Sequence, residues 1–348
     1  MKPHLHISLI ATLAAAFAAG CGGGKSDAAK AVEEFNAGRY EAAAKTLEKV
    51  VRDGGATSTL HYNIGVAKAM AGDKEGAIRA FENARSLDIG ATDAVEYRAH
   101  LLMENGDIET AHEILDGLVT DDDEPARQAR ALSALAVCEH RLGRDDLAFL
   151  RLTRAISTDP SYKPAIQNLA ALREGRGDDV KSKPHDTNAE AAALIAKGSD
   201  SYARSKWQLA IDSFEKALKA DPESYHAASS LATAHFAARH YSDASETYEL
   251  AAKLDPSKSD PFYWQAYIAY SLGDPVKATR MLCETVIPRW PDDIRSYELA
   301  SYAWATQKRF YEARVFGEEH LRRARMAGTD ASAFAKWFAA MPQTAFQK

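Results

Sequence analysis

Between Ala191 and Pro222 apolar and polar positions alternate with helical spacing in two short runs. Leu194, Ile195, Gly198 and Tyr202 recur at three- and four-residue intervals, which lays them along one stripe of a helix ending near Tyr202. Ile211, Phe214, Ala217 and Leu218 do the same on a second helix, from Trp207 to Ala220. Pro222 ends it, because a residue preceding proline, here Asp221, is pushed out of the α region. Helices this short are marginal alone, so the two stripes must be buried against each other and against neighbours.

The same pattern recurs along the chain. A small residue opens each second helix at Ala43, Ala77, Ala111, Ala148, Ala210, Ala244, Ala278 and Ala313, with spacings of 34, 34, 37, 62, 34, 34 and 35. Five of these seven steps lie within one residue of 34, a regularity that marks a repeat architecture. Gly-Arg-Tyr (38 to 40), Gly-Asp-Lys (72 to 74), Gly-Asp-Ile (106 to 108), Gly-Arg-Asp (143 to 145) and Gly-Asp-Pro (273 to 275) supply turns between first and second helices. Asp-Pro closes units at 159 to 160, 221 to 222 and 255 to 256.

These units resemble the tetratricopeptide repeat family, whose 34-residue helical hairpins carry small residues where the two helices touch. The matching residues are Gly65, Ala77, Phe81 and Ala84 in one unit, and Gly198, Ala210, Phe214, Ala217 and Pro222 in another. The resemblance covers residues 27 to 325 and implies an all-α fold, a right-handed α-solenoid of about eight hairpins in two arrays of four, with capping helices. The first array with its cap is expected over 27–174, a charged and glycine-rich linker over 175–187, the second array over 188–327, and a C-terminal cap and tail over 328–348. Within the linker, GRGDDVKSKPHDT has no apolar periodicity. Phe334, Trp337, Phe338 and Met341 give the C-terminal cap its apolar stripe.

The start of the chain has a different character. Lys2 precedes an uncharged apolar run from Ile7 to Ala19, 13 residues long and too short to span a bilayer, which takes about 20. It reads as a signal peptide over 1–20. Ala18-Ala19-Gly20-Cys21 resembles a bacterial lipobox, with Ala18 where that pattern usually has Leu, so Cys21 is the expected lipidation site and 21–26 a flexible tether. The alternative is cleavage after Ala16-Phe17-Ala18 and a soluble periplasmic protein. The other two cysteines, Cys138 and Cys283, fall in different arrays and read as buried thiols.

Charge separates the arrays: residues 21 to 180 carry a net −8 and residues 181 to 348 a net +1. With a whole-chain charge of −6, nothing drives the protein toward nucleic acid, and the arrays need not share a partner. The Asp121-Asp122-Asp123-Glu124 run lacks the alternation and glycine turn of a calcium loop. His112-Glu113-Ile114-Leu115-Asp116 resembles a zincin helix but has Asp where the second His belongs. Arg322, Arg323 and Arg325 read as a solvated helix end. Phosphate loops, nucleophile elbows and CxxC pairs are absent from the sequence, so neither a cofactor, a metal nor an enzyme is expected.

Aromatic residues concentrate on the first helices of the second array. Tyr263, Tyr267 and Tyr270 share one helix face by their spacing. The resemblance places first helices on the concave surface, and the equivalent positions in adjacent units are Tyr202, His226, Phe236, Glu298 and Tyr302. Tyrosine suits a peptide groove because its ring gives contact area at low entropic cost while its hydroxyl stays wet. The carboxylate clamp some relatives use is not expected, since its positions hold Tyr62, Val66, Ser229, Thr233, Tyr263 and Tyr267. The sequence therefore predicts a non-catalytic scaffold for protein or peptide partners, lipid-anchored in the bacterial cell envelope at the outer membrane facing the periplasm. A glycan or small-ligand binder is the alternative, because aromatic troughs also stack on sugar rings.

Overall fold

The predicted stripes form helices, and a common turn sets where each hairpin reverses. In every hairpin one turn residue has positive φ: Gly38, Gly72, Gly106 and Gly143, then Ser205, Arg239, Gly273 and Lys308. The next N–H donates to the carbonyl five residues back, as Arg39 does to Glu34 at 2.8 Å, Arg144 to Glu139 at 2.8 Å, His240 to His235 at 2.9 Å and Arg309 to Trp304 at 3.0 Å. This bond satisfies a carbonyl that the end of the first helix would otherwise leave open, and it brings the start of the second helix back over that end.

The computed structural model describes residues 25–54, 56–88, 92–119, 124–174 and 185–342. The segment 1–20, Cys21, the acids 121–123 and linker residues 175–184 lie outside the described residues. The chain divides into two compact units, Met1–Leu172 and Arg173–Lys348. Hairpins of the first are α1 (Lys25–Asn36) with α2 (Tyr40–Gly54), α3 (Ser58–Met70) with α4 (Lys74–Leu87), α5 (Thr92–Asn105) with α6 (Ile108–Asp116), and α7 (Pro125–Arg141) with α8 (Asp145–Thr158). A single helix, α9 (Lys163–Glu174), follows them and buries Ala165, Leu169 and Leu172. In the second unit the pairs are α10 (Ala189–Ala203) with α11 (Trp207–Ala220), and α12 (Tyr225–Ala237) with α13 (Tyr241–Leu254). They continue as α14 (Asp260–Ser271) with α15 (Pro275–Met281) and its continuation, and α17 (Ile294–Thr306) with α18 (Phe310–Ala327). Among the described residues there is no strand, and no helix is long and apolar enough to cross a membrane.

In two of the hairpins, one in each unit, the contact between the helices is made by glycine against phenylalanine. A Cβ on Gly65 would lie 2.7 Å from Phe81 Cε1, and one on Gly198 would lie 2.6 Å from Phe214 Cε1. Ala77 and Ala210 are fully buried beside them. Burying a ring such as Phe81 contributes about 1.5–3 kcal/mol, and only a residue without a side chain lets it close to the partner helix.

The one 35-residue step has a visible cause. The second helix of that hairpin continues from α15 through a π-helical turn, Leu282–Val286, into α16 (Ile287–Arg289). A π turn absorbs one extra residue in a helix, and Pro288 in the following turn has no N–H to bond. The hairpin therefore keeps its neighbours while its second helix is one residue longer than the 14 of α11 and α13. At the chain's end α19 (Ser332–Ala339) buries Phe334 and Phe338 over α18, with Met341 following them into the core.

Asp221 is more than a helix stop. Its carboxylate accepts from the Asn188 N–H at 2.9 Å and bonds His185 Nε2 at 2.9 and 3.1 Å, while Thr187 and Ser224 hydroxyls lie 2.9 Å apart. Those bonds, the Asn188 backbone donor first, hold the Asp221 carboxyl below its ordinary range. Residues 185 to 187 are thereby fastened to the second unit at the end of α11.

Candidate ligand-binding face of the second unit

First helices stand side by side in the second unit: α10 packs on α12, and α14 on α17. Their sequence positions three and four apart put the same face outward in each, and rings fill it. Phe236 of α12 meets Trp264 and Tyr267 of α14 with centroids 5.0 and 5.8 Å away, and Trp264 also stacks over Tyr248 at 6.5 Å. Tyr267 and Tyr270 stay half-buried, with rims open to solvent. The Tyr270 hydroxyl reaches Thr306 Oγ1 at 3.4 Å, carrying the row to α17 and Tyr302.

The seven predicted site residues divide by what holds them. Phe236, Tyr267 and Tyr270 form the continuous half-open part. Tyr263 is only 8% exposed and lies beneath the Arg295 guanidinium, 4.5 Å from its ring, so it offers little surface to a ligand. Burial pushes its phenol up to about 12, against the opposing pull of Arg295, and it stays neutral. Tyr302 packs on Trp337 and Phe334 at 4.3 and 5.4 Å, where the C-terminal helix covers part of it. Tyr202 packs edge-on against Trp207 at 4.9 Å, and His226 is exposed beside Tyr225 at 5.6 Å. Trp264 is the hub through which Phe236, Tyr263, Tyr267 and Tyr248 touch.

Other groups that looked chemical in the sequence are occupied by packing. His112 Nε2 lies 2.8 Å from Glu139 Oε1 with both side chains fully buried, and Asp116 accepts from Arg151 at 2.9 Å. The zincin-like segment is therefore a hydrogen-bonded joint between α6, α7 and α8. Arg322 and Arg323 both bond Glu319, and Arg323 lies over the Tyr297 ring at 4.6 Å with its side chain 11% exposed. These cations are tied down rather than solvated, because Glu319 is buried beneath them. Cys138 and Cys283 are buried and form no disulfide, and burial raises the Cys138 thiol to about 12, which leaves it unreactive.

The tetratricopeptide repeat model matches residues 28–93, 98–162, 195–259 and 229–294, which together cover more than half of the chain. The chain belongs to the tetratricopeptide repeat family. No curated protein matches it. Among solved structures it is similar to crystal structures of MamA, with 18% identity over 56% of this chain and 96% of that one and a TM-score of 0.38. A tetratricopeptide repeat protein from Parabacteroides merdae ATCC 43184 is similar at 15% identity over 80% and 98%, with a TM-score of 0.40. The first such domain of Spaghetti (RPAP3), bound to the HSP90 peptide SRMEEVD, is similar at 20% identity over 35% and 96%, with a TM-score of 0.33. The tetratricopeptide repeat in this chain thus comes in two runs, and the matched residues break at the same place as the two compact units.

Proposed function

We propose that this tetratricopeptide repeat protein is a non-catalytic scaffold that binds an extended or helical protein segment along the first-helix face of its second unit. The carrying observation is the half-open row Phe236, Tyr267 and Tyr270, braced from behind by Trp264 and Tyr248. A ring already held by neighbours loses little freedom when a partner covers it, which is what makes a braced aromatic a strong anchor. A segment with apolar anchors at alternate or helical spacing fits such a row. The scaffold is tethered to the bacterial envelope, at the outer membrane facing the periplasm, by lipid on Cys21. What supports the tether is the apolar run from Ile7 to Ala19 followed by Ala18-Ala19-Gly20-Cys21.

A photoreactive residue at position 270 in the full chain tests the face. The expected result is one specific crosslinked protein in cells, lost when Tyr267→Ala is added; capture of nothing, or of the same set with and without Tyr267→Ala, overturns it. Saturable quenching of tryptophan emission by oligosaccharides and not by apolar peptides would favour the glycan reading instead. Palmitate labelling of the wild type and of Cys21→Ser tests the tether separately, with label expected in the first alone.

A further inference from the structure

The hairpin turn brings three sequence positions near one another: the residue five before the second helix's leading cap position, that cap position itself, and the residue three further on. In other hairpins these registers hold interacting pairs. Lys68 lies 3.8 Å from Asp73, Glu139 lies 4.0 Å from Arg144, and Arg309 lies over the Trp304 ring at 5.2 Å. Arg309 also pairs with Glu312, at the third register. In the hairpin of α12 and α13 the same three positions are His235, His240 and Asp243, two imidazoles and a carboxylate.

We propose that His235, His240 and Asp243 are a binding site for a divalent transition-metal ion of the zinc class. One potential ligand atom from each lies within 4.8 Å of the others, and the two imidazole rings are 5.9 Å apart. The backbone bond from His240 N to His235 O, 2.9 Å, fixes the two residues across the turn, so the backbone that carries the two imidazoles is set before any ion arrives. His235 Nδ1 is buried, has no hydrogen-bond partner among the described residues, and faces Asp243 Oδ2 at 4.0 Å. A buried ring nitrogen without a partner is a cost that a metal bond would remove. The His240 side chain makes no capping bond, so coordination takes nothing from α13.

Two imidazoles and one carboxylate suit zinc, with nickel and copper binding the same donors, and three protein ligands leave a tetrahedral position for water or for a group from a bound partner. Zinc bonds of about 2.0–2.2 Å need donor atoms about 3.3 Å apart, a closure that rotation of the exposed His240 and Asp243 side chains supplies. An ion held there staples α12 to α13 directly behind Phe236, which neighbours His235 in sequence.

The test is titration of the full chain, free of any added histidine tag, with zinc chloride by calorimetry, and the same titration of His240→Ala and Asp243→Asn. One saturable site is expected in the wild type, with affinity reduced at least about tenfold in each variant. Hydrogen exchange of residues 235–244 should slow with zinc in the wild type alone. Circular dichroism identical to wild type shows that a variant is folded; neither side chain caps a helix, so both should be. No saturable site in the wild type, or an affinity unchanged in either variant, overturns the assignment.

Discussion

Where the third hairpin of the first unit meets the fourth, an apolar cluster around Leu115, Leu135 and Val137 carries buried polar pairs, His112 against Glu139 and Asp116 against Arg151. Where the second unit's α12–α13 hairpin meets the next, the joint is aromatic: Phe236, Trp264, Tyr267 and Tyr248. Both joints connect successive copies of the same helical hairpin, so the repeat fixes the helix positions and leaves the chemistry of the joint open. A buried polar pair is directional and loses most when one partner is removed. The aromatic joint tolerates change better and leaves ring edges exposed for a ligand, which is why the proposed face belongs to the second unit.

Glu139→Ala should therefore be the most damaging single change, destabilising the first unit by about 3–5 kcal/mol because His112 would be left buried without that partner. Trp264→Ala in the second unit should cost less, about 2–3 kcal/mol, since its ring is only partly buried and its neighbours can close in. All five tryptophans lie at or after Trp207, so tryptophan emission follows the second unit alone. Urea titration read by emission, and by hydrogen exchange of α6 and α7 for the first unit, separates the two effects. Equal losses would erase the distinction between the joints.

Acid should widen the same contrast. Burial holds His100 of the first unit down to about 4, with Glu104 opposing and Arg141 assisting. Its folded pKa lies below an unfolded value of about 6.5, so the unfolded chain takes up a proton that the folded chain refuses. Stability from this group is full above about pH 6.5 and is lost as pH falls from there toward 4. The loss reaches about 3 kcal/mol, and His100→Asn should flatten it. Hydrogen exchange of α5 at pH 7 and pH 5 checks the direction; protection that rises on acidification would contradict it.

Much of this organisation was legible in the sequence. Small residues every 34 positions located the hairpins, and the period-matched Gly65 and Gly198 face Phe81 and Phe214 as the stripes required. The spacing of Tyr263, Tyr267 and Tyr270 put them on one helix, but the burial of Tyr263 depends on Arg295, 32 residues later, and no local pattern carries that contact. The His112–Glu139 joint was hidden for the same reason, and a zincin-like spelling drew attention to the wrong neighbour, Asp116. His235 and His240 stand on opposite sides of a turn that has no glycine to announce it.

Gly65→Ala and Gly198→Ala ask whether the two units share their inner packing despite different joints. The added methyl would sit 2.7 Å from Phe81 or 2.6 Å from Phe214, so each ring must move, at about 1–3 kcal/mol. The two losses should agree to within about 1 kcal/mol, measured by urea titration of each unit; a loss confined to one unit would mean that the hairpins pack by different rules.

The smallest effects should reverse sign. All four turns of the first unit place glycine at the left-handed position, whereas the second unit uses Ser205, Arg239 and Lys308 there, with φ of 57°, 64° and 61°, and glycine only at Gly273. A side chain in that region costs about 1–2 kcal/mol, and glycine returns about 0.5–1 kcal/mol of that as extra freedom in the unfolded chain. Ser205→Gly and Lys308→Gly should thus each stabilise the second unit by about 0.5–1 kcal/mol. Arg239→Gly should stabilise it similarly without zinc, and should leave zinc affinity intact, because the backbone bond from His240 to His235 that fixes the two residues does not involve the Arg239 side chain. The converse change in the first unit, Gly143→Ser, should lower stability by a similar amount. If all four substitutions move stability the same way, the turn position is governed by something other than backbone conformation.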